Sequence, residues 1–211
     1  MNKKNLVLMF FISAFIISCG ETNNNKKPNE RAVKYSNTGF TKYNLKDHKG
    51  AIADFTKVIE LDPDYVYAYF WRGMAKNELD NYQGAIADFT KVIELEPDNA
   101  DAYYNRGIKK SILNENYAAI ADYTKVIELD PDYVYAYFWR GMAKNELDNY
   151  QGAIADFTKV IELEPDNADA YYNRGIKKSI LKDLDGACAD LRKSVILGRR
   201  DSQNFIGKKC N

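Results

Sequence analysis

The stretch AIADFTKVIELDPD at residues 51–64 returns as AIADFTKVIELEPD at 85–98, AIADYTKVIELDPD at 119–132 and AIADFTKVIELEPD at 153–166. Every copy ends on a proline and aspartate, and Pro63, Pro97, Pro131 and Pro165 are therefore spaced by 34 residues. A fixed period of this length marks a chain built from short units, each of which buries its apolar face only against its neighbours. Function is then to be sought on a repeated surface.

Working outward from the prolines divides the chain into units at 32–65, 66–99, 100–133, 134–167 and 168–200, the last degenerate and without its proline. Within 66–99 the apolar pattern predicts two helices. VYAYFWRGMAKNEL places Ala68, Arg72, Ala75 and Leu79 on one face, and YQGAIADFTKVIEL does the same with Ala85, Phe89, Val92 and Leu95. Asp80 and Asn81 make the turn between them, and Pro97 stops the second helix.

Ala68, Tyr69, Gly73, Ala85, Phe89 and Pro97 resemble the signature of the tetratricopeptide repeat family, and the match recurs with Tyr103, Gly107, Ala119, Tyr123 and Pro131, then with Tyr137, Gly141, Ala153, Phe157 and Pro165. The resemblance covers about 170 residues and implies an all-α fold: five antiparallel helix pairs stacked as a right-handed superhelical solenoid, with the first helices lining the concave face. Gly73, Gly107, Gly141 and Gly175 each cost roughly 1 kcal/mol in a helix interior, which close approach of the partner helix at Ala85 and its equivalents would offset.

One departure from the family is an arginine just before that glycine, at Arg72, Arg106, Arg140 and Arg174, where the family has a large apolar residue. Every unit also carries an acid in its second helix: Asp54, Asp88, Asp122, Asp156 and Asp190. A partly buried arginine needs a partner, so these residues read as interhelical ion pairs rather than ligand groups. The first unit has Thr38 in place of arginine yet keeps Asp54. The expectation is that each arginine reaches back to the acid of the preceding unit.

A second period lies over the first: residues 56–113 are identical to 124–181. Identity that includes solvent positions points to recent duplication of a pair of units. The second, fifth, sixth, ninth and twelfth positions of the first helix face the groove in the family the repeats resemble. Carried over, these are Tyr67, Phe70, Trp71, Met74 and Asn77, repeated as Tyr135, Phe138, Trp139, Met142 and Asn145. The intervening units present Asp101, Tyr104, Asn105, Ile108 and Ser111, repeated as Asp169, Tyr172, Asn173, Ile176 and Ser179.

The groove candidates are therefore Asn37, Tyr67, Phe70, Trp71, Met74, Tyr104, Asn105, Tyr135, Phe138, Trp139, Met142, Tyr172 and Asn173. Aromatic side chains with a polar edge are common hot spots of protein interfaces, and an asparagine amide can hold a peptide backbone. Asn37, Asn105 and Asn173 resemble the asparagine ladder that some family members use for extended peptides. Trp71 and Trp139 suggest a ligand with two apolar anchors; alternatively they only pack against adjacent first helices. The Lys and Arg pattern of the family's carboxylate clamp is absent, so capture of a terminal carboxylate is not expected.

Outside the repeats, Lys3 and Lys4 precede an apolar run from Leu6 to Ile17, followed by Ser18, Cys19 and Gly20. Twelve residues span ~18 Å as a helix, short of a ~30 Å hydrocarbon core, so the run reads as a secretory signal rather than a membrane-spanning helix. Its end, Ile16-Ile17-Ser18-Cys19, resembles a bacterial lipoprotein signal. That resemblance implies removal of residues 1–18, lipidation of Cys19 (palmitate among the acyl chains), and a bacterial cell-envelope location, lipid-anchored on a periplasmic or cell-surface face. Residues 19–31 would form the lipidated cysteine and a solvated tether.

At the other end, Gly198 can stop the last repeat helix, and 201–211 is expected to form a short capping helix with Phe205 and Ile206 as its apolar face. Cys188 and Cys210 fall about equally far from that turn, so a hairpin would bring them together as a disulfide in an exported chain. The other reading is one buried cysteine and one frayed terminal cysteine.

The composition bounds the remaining possibilities. The 211 residues carry 30 basic and 30 acidic side chains, interspersed, so no basic stripe recruits nucleic acid. With one histidine, His48, and no His–Cys cluster or glycine-rich phosphate loop, neither enzyme activity, a metal nor a cofactor is expected. The reading is a membrane-anchored adaptor or assembly scaffold that binds a protein or peptide in its groove. Self-association as a structural envelope component and glycan binding by the aromatics are the alternatives.

Overall fold

The computed structural model describes residues 29–203, 205 and 210, and among these every regular element is helical. Ten α-helices follow one another: α1 (Glu30–Asn44), α2 (His48–Leu61), α3 (Val66–Asn77), α4 (Tyr82–Leu95), α5 (Ala100–Ile112), α6 (Asn116–Leu129), α7 (Val134–Asn145), α8 (Tyr150–Leu163), α9 (Ala168–Ile180) and α10 (Leu184–Ile196). Each packs mainly on the helices just before and after it, and α1 also touches α3 as α5 touches α7, which is the connectivity of a solenoid.

Local chemistry sets the helix ends. The residue before each period-marking proline, Asp62, Glu96, Asp130 or Glu164, is driven into extended backbone, and the helix stops there. Between paired helices one residue takes the left-handed conformation: Lys46, Asp80, Asn114, Asp148 and Lys182, with φ from 55° to 67°. The next residue then caps the second helix where its side chain allows it, as when Asn81 accepts from the Gly84 amide. Leu79, assigned by its spacing to the inward face of the first helix, lies in this turn and is exposed.

The core is a column of second-helix residues. Ala85, Phe89 and Val92 are fully buried, as are their equivalents Ala51, Phe55 and Val58, Ala119, Tyr123 and Val126, and Ala153, Phe157 and Val160. In the first four units the glycine of the first helix seats the aromatic ring of this column, and in the last Gly175 faces Leu191 instead. A Cβ on Gly73 would stand 3.1 Å from the Phe89 ring, and one on Gly107 would stand 2.9 Å from Tyr123. The nearest atoms at Gly73 and Gly107 thus belong to the ring one turn beyond Ala85 or Ala119, while at Gly175 the Ala187 carbonyl, at 3.2 Å, takes part in the close approach.

The arginines do not reach back to the preceding acid. Arg72 donates through Nε and Nη2 to both carboxylate oxygens of Asp88 in its own unit, at 3.0 and 2.7 Å, and only Nη1 turns back, to Thr56 Oγ1 at 3.2 Å. The same fork joins Arg106 to Asp122, Arg140 to Asp156 and Arg174 to Asp190. Lys76 Nζ meets the same Asp88 carboxylate at 2.7 Å, and Lys110, Lys144 and Lys178 repeat this contact. Asp54 survives without an arginine because Lys42, the equivalent of Lys76, pairs with it at 2.7 Å. The carboxylates are buried, so both cations and the bidentate geometry offset their desolvation.

The last first helix is covered differently from the one in the middle of the stack. In the middle of the stack, Tyr133 lays its ring 5.1 Å from Tyr104 and donates its hydroxyl to Asp101. On the identical α9, Arg199 takes that place, its guanidinium 3.8 Å above the Tyr172 ring and paired with Asp169. After Gly198, at φ 104°, the described part of the expected capping helix begins as a 3₁₀ turn, Arg200–Ser202, held by a 2.7 Å bond between the Ser194 and Ser202 hydroxyls. Phe205 is half-buried, while Ile206 lies outside the described residues. Cys188 and Cys210 are joined as a disulfide with Cα atoms 5.6 Å apart.

Candidate functional site

The groove candidates lie along the first helices α1, α3, α5, α7 and α9, but their surroundings differ. Phe70 and Phe138 turn inward, each ring 5.7 Å from the core ring of Phe89 or Phe157. Both are half-buried and pack on the core. Asn37 is exposed, whereas Asn105 and Asn173 each donate one amide hydrogen to the carbonyl one turn earlier, Asp101 or Asp169, at 2.8 Å.

Trp71 sits in an aromatic cluster: Phe40 at 4.8 Å, Tyr43 at 5.1 Å, and Tyr67 and Phe70 both at 5.8 Å between ring centroids. Burial in this cluster pushes the Tyr67 hydroxyl up to about 12, with Tyr65 adding to the shift and the Trp71 indole opposing it. Around Trp139 the neighbours that the duplication would place at Phe40 and Tyr43 are Ile108 and Ser111. Trp139 keeps a ring contact to Phe138 and is 37% exposed, and Tyr135 stands out at 61% against 38% for Tyr67.

The space left by the smaller neighbours is a cavity of about 200 Å³, lined by Ser111, Ile112, Asn116, Trp139, Met142, Ala143 and Glu146. Trp139, Met142, Ile112 and Ala143 supply its apolar walls; Ser111, Asn116 and Glu146 supply its polar atoms. The Ser111 hydroxyl is within 3.2 Å of the Tyr123 hydroxyl beneath it. Tyr104 adjoins the same region: burial raises its hydroxyl pKa, with the Trp139 indole acting in the opposite direction. Lys177 is buried on the far side of α7, its pKa lowered by desolvation and supported by attraction to Glu146; Lys109 and Glu78 repeat the arrangement around α3.

Ile112, Asn116, Ala143 and Glu146 were not among the residues that the sequence reading placed in the groove. Glu146 follows directly on Asn145, the last groove position of its helix, and could have been included by extending that face one residue. Asn116 could not, because it opens the second helix of its unit and joins the site only through packing. His48, its equivalent in the first pair, packs its ring 5.4 Å from Tyr43, with Nδ1 buried and without a hydrogen-bond partner. Among the described residues no His, Cys, Asp and Glu group is arranged to hold a metal ion, and no helix is long and apolar enough to cross a membrane.

Sequence profiles of the tetratricopeptide repeat match residues 31–65, 55–87, 100–133 and 122–155, and a further TPR repeat profile matches 75–108 and 142–176, an unbroken span from 31 to 176. No curated protein matches in sequence. Solved structures do. A crystal structure of MamA is 25% identical and superposes with a TM-score of 0.78 over 82% of this chain and 95% of its own. YrrB, described as a TPR protein with an unusual peptide-binding site, is also 25% identical, with a TM-score of 0.75 over 84% of this chain and 92% of its own. MamA from Desulfovibrio magneticus, at 20% identity and a TM-score of 0.77, shares the fold over 82% of this chain and 98% of its own.

Proposed function

The chain belongs to the tetratricopeptide repeat family, and from that premise we propose that it is a membrane-anchored adaptor or scaffold that binds a protein or peptide along its first helices. The observation that carries this reading is the exposure of Tyr135 and Trp139 on one helix face, beside a cavity with both apolar and polar walls. Exposed aromatics around a concavity give an interface its anchoring contacts. The description of YrrB as having a peptide-binding site supports a similar use of this fold here.

A photo-crosslinking side chain placed at Tyr135 in the native envelope tests the binding face. It captures a discrete partner, capture falls when Trp139 becomes alanine, and the same crosslinker at Tyr117, exposed on α6, does not give that product. Equal capture from both positions would refute the assignment. The anchor at Cys19, which lies outside the described residues, is tested separately. Cys19→Ser releases the chain from the membrane fraction, and retention would refute lipid anchoring. Lipidation would place the binding face at the membrane surface of a bacterial envelope, held by more than one acyl chain.

A further inference from the structure

We propose that the cavity beside Trp139 receives a single cationic side chain of the partner, with arginine the best fit. This rests on the binding-face reading above and names the chemistry that the face selects.

The argument begins with what a partner would cover. The only formally charged residue lining the cavity is Glu146, which is exposed and, among the described residues, has no ion pair within 4 Å. Its carboxylate accepts from Asn145 Nδ2 at 3.1 Å. Lys177 attracts it from beyond ion-pair distance and donates no hydrogen bond to it, so the side of the carboxylate that meets the cavity is satisfied by solvent. A partner lying across the cavity removes water from Glu146, and a carboxylate desolvated without a counter-ion is costly. A covering group that brings positive charge and hydrogen-bond donors offsets that cost directly.

The remaining walls decide which cation. Trp139 offers indole surface, and Met142 and Ile112 offer surface for an aliphatic stem; Ser111 and Asn116 add side-chain oxygens able to accept hydrogen bonds. A guanidinium is planar, stacks on indole and donates five hydrogen bonds in a fixed fork, which suits a carboxylate beside an aromatic face. The rest of the face agrees in sign. Within the groove positions of α3, α5, α7 and α9 the only charged residues are Asp101 and Asp169. Asp169 is already taken by Arg199 stacked on Tyr172, so the chain satisfies one acid-and-aromatic site of this face with an arginine of its own.

The first pair of units provides the internal control. There Tyr43 stands in the place of Ser111, its ring against Trp71, so the equivalent space beside Glu78 is filled from within.

The test uses the full-length lipidated chain in detergent, with Trp71→Phe so that Trp139 is its only tryptophan. The probe is the pentapeptide acetyl-Ala-Ala-Arg-Ala-Ala-amide, compared with versions in which citrulline or norleucine replaces arginine. Trp139 fluorescence is expected to respond saturably to the arginine peptide and about tenfold more weakly to both neutral peptides. Glu146→Gln should remove that preference, and Ser111→Tyr, which copies the first pair, should abolish the response. Equal binding of any neutral peptide, an unchanged preference in Glu146→Gln, or no response to the arginine peptide would overturn the proposal. Crosslinking from position 135 that persists in Glu146→Gln but not in Trp139→Ala would leave the binding face standing while the cationic preference falls. Loss of dependence on Trp139 as well would remove both.

Discussion

Helices α3 and α7 have the same twelve residues, VYAYFWRGMAKN, and the same capping geometry, yet they present different surfaces. Toward their own second helices they are equivalent: each arginine forks onto its aspartate, each lysine joins it, and each phenylalanine meets the core ring. Toward the groove they diverge, because the preceding first helix supplies Phe40 and Tyr43 in one case and Ile108 and Ser111 in the other. In a stacked-repeat protein the identity of a surface therefore belongs to a junction between units. Two identical helices become a closed aromatic cluster and an open cavity through residues that neither contains.

The sharpest way to break this comparison is at the shared spine. Asp88→Ala and Asp156→Ala each leave an arginine and a lysine without their carboxylate, and each should cost about 3–5 kcal/mol by urea unfolding. The two losses should be alike, since the environments match; a clear inequality would show that the copies differ beyond the groove. Next in size, Tyr43→Ser should open the first site at a cost of about 2 kcal/mol by deleting a packed ring, and should shift Trp71 emission to the red. Ser111→Tyr should shift Trp139 emission to the blue with little change in stability.

Alkaline pH separates the pairs in another way. The second-helix core ring is phenylalanine at 55, 89 and 157 but tyrosine at 123. Burial raises the Tyr123 hydroxyl above its ordinary value of 10.0, and Tyr133 is raised for the same first cause with Asp101 adding to it. Above pH 10 the unfolded chain loses these protons while the folded chain keeps them, so stability falls as pH rises. Tyr123→Phe should make that decline shallower in unfolding measured at pH 9, 10 and 11, whereas Phe89→Tyr should steepen it. The smallest effect is expected at the end of the stack: Arg199 and Asp169 are solvent-accessible, so Arg199→Ala should cost less than about 1 kcal/mol.

Much of this architecture was legible before any coordinates, because a solenoid writes its period into the chain and proline marks it four times. The helix pairs, the second-helix core column and the first-helix face all follow from that spacing. The arginine partner was misread for a specific reason. Thr38 and Asp54 suggested pairing between units, but Lys42 recurs in every unit and satisfies Asp54 alone. The groove positions were legible as positions, but their exposure was not. What covers Trp71 comes from 31 and 28 residues earlier, at Phe40 and Tyr43, and only packing decides that these rings close over it. The expected lipoprotein signal at 1–18 and residues 19–28 of the expected tether at 19–31 lie outside the described residues, whereas Glu30 and Arg31 of that tether already belong to α1, capped by Asn29; the test of the signal is biochemical.

The most direct measurement is acrylamide quenching of the two tryptophans in single-tryptophan chains, Trp71→Phe and Trp139→Phe. The account predicts that Trp139 is quenched more strongly than Trp71, and that Ser111→Tyr lowers Trp139 quenching toward the Trp71 value. Equal quenching of both, unaffected by Ser111→Tyr, would contradict it.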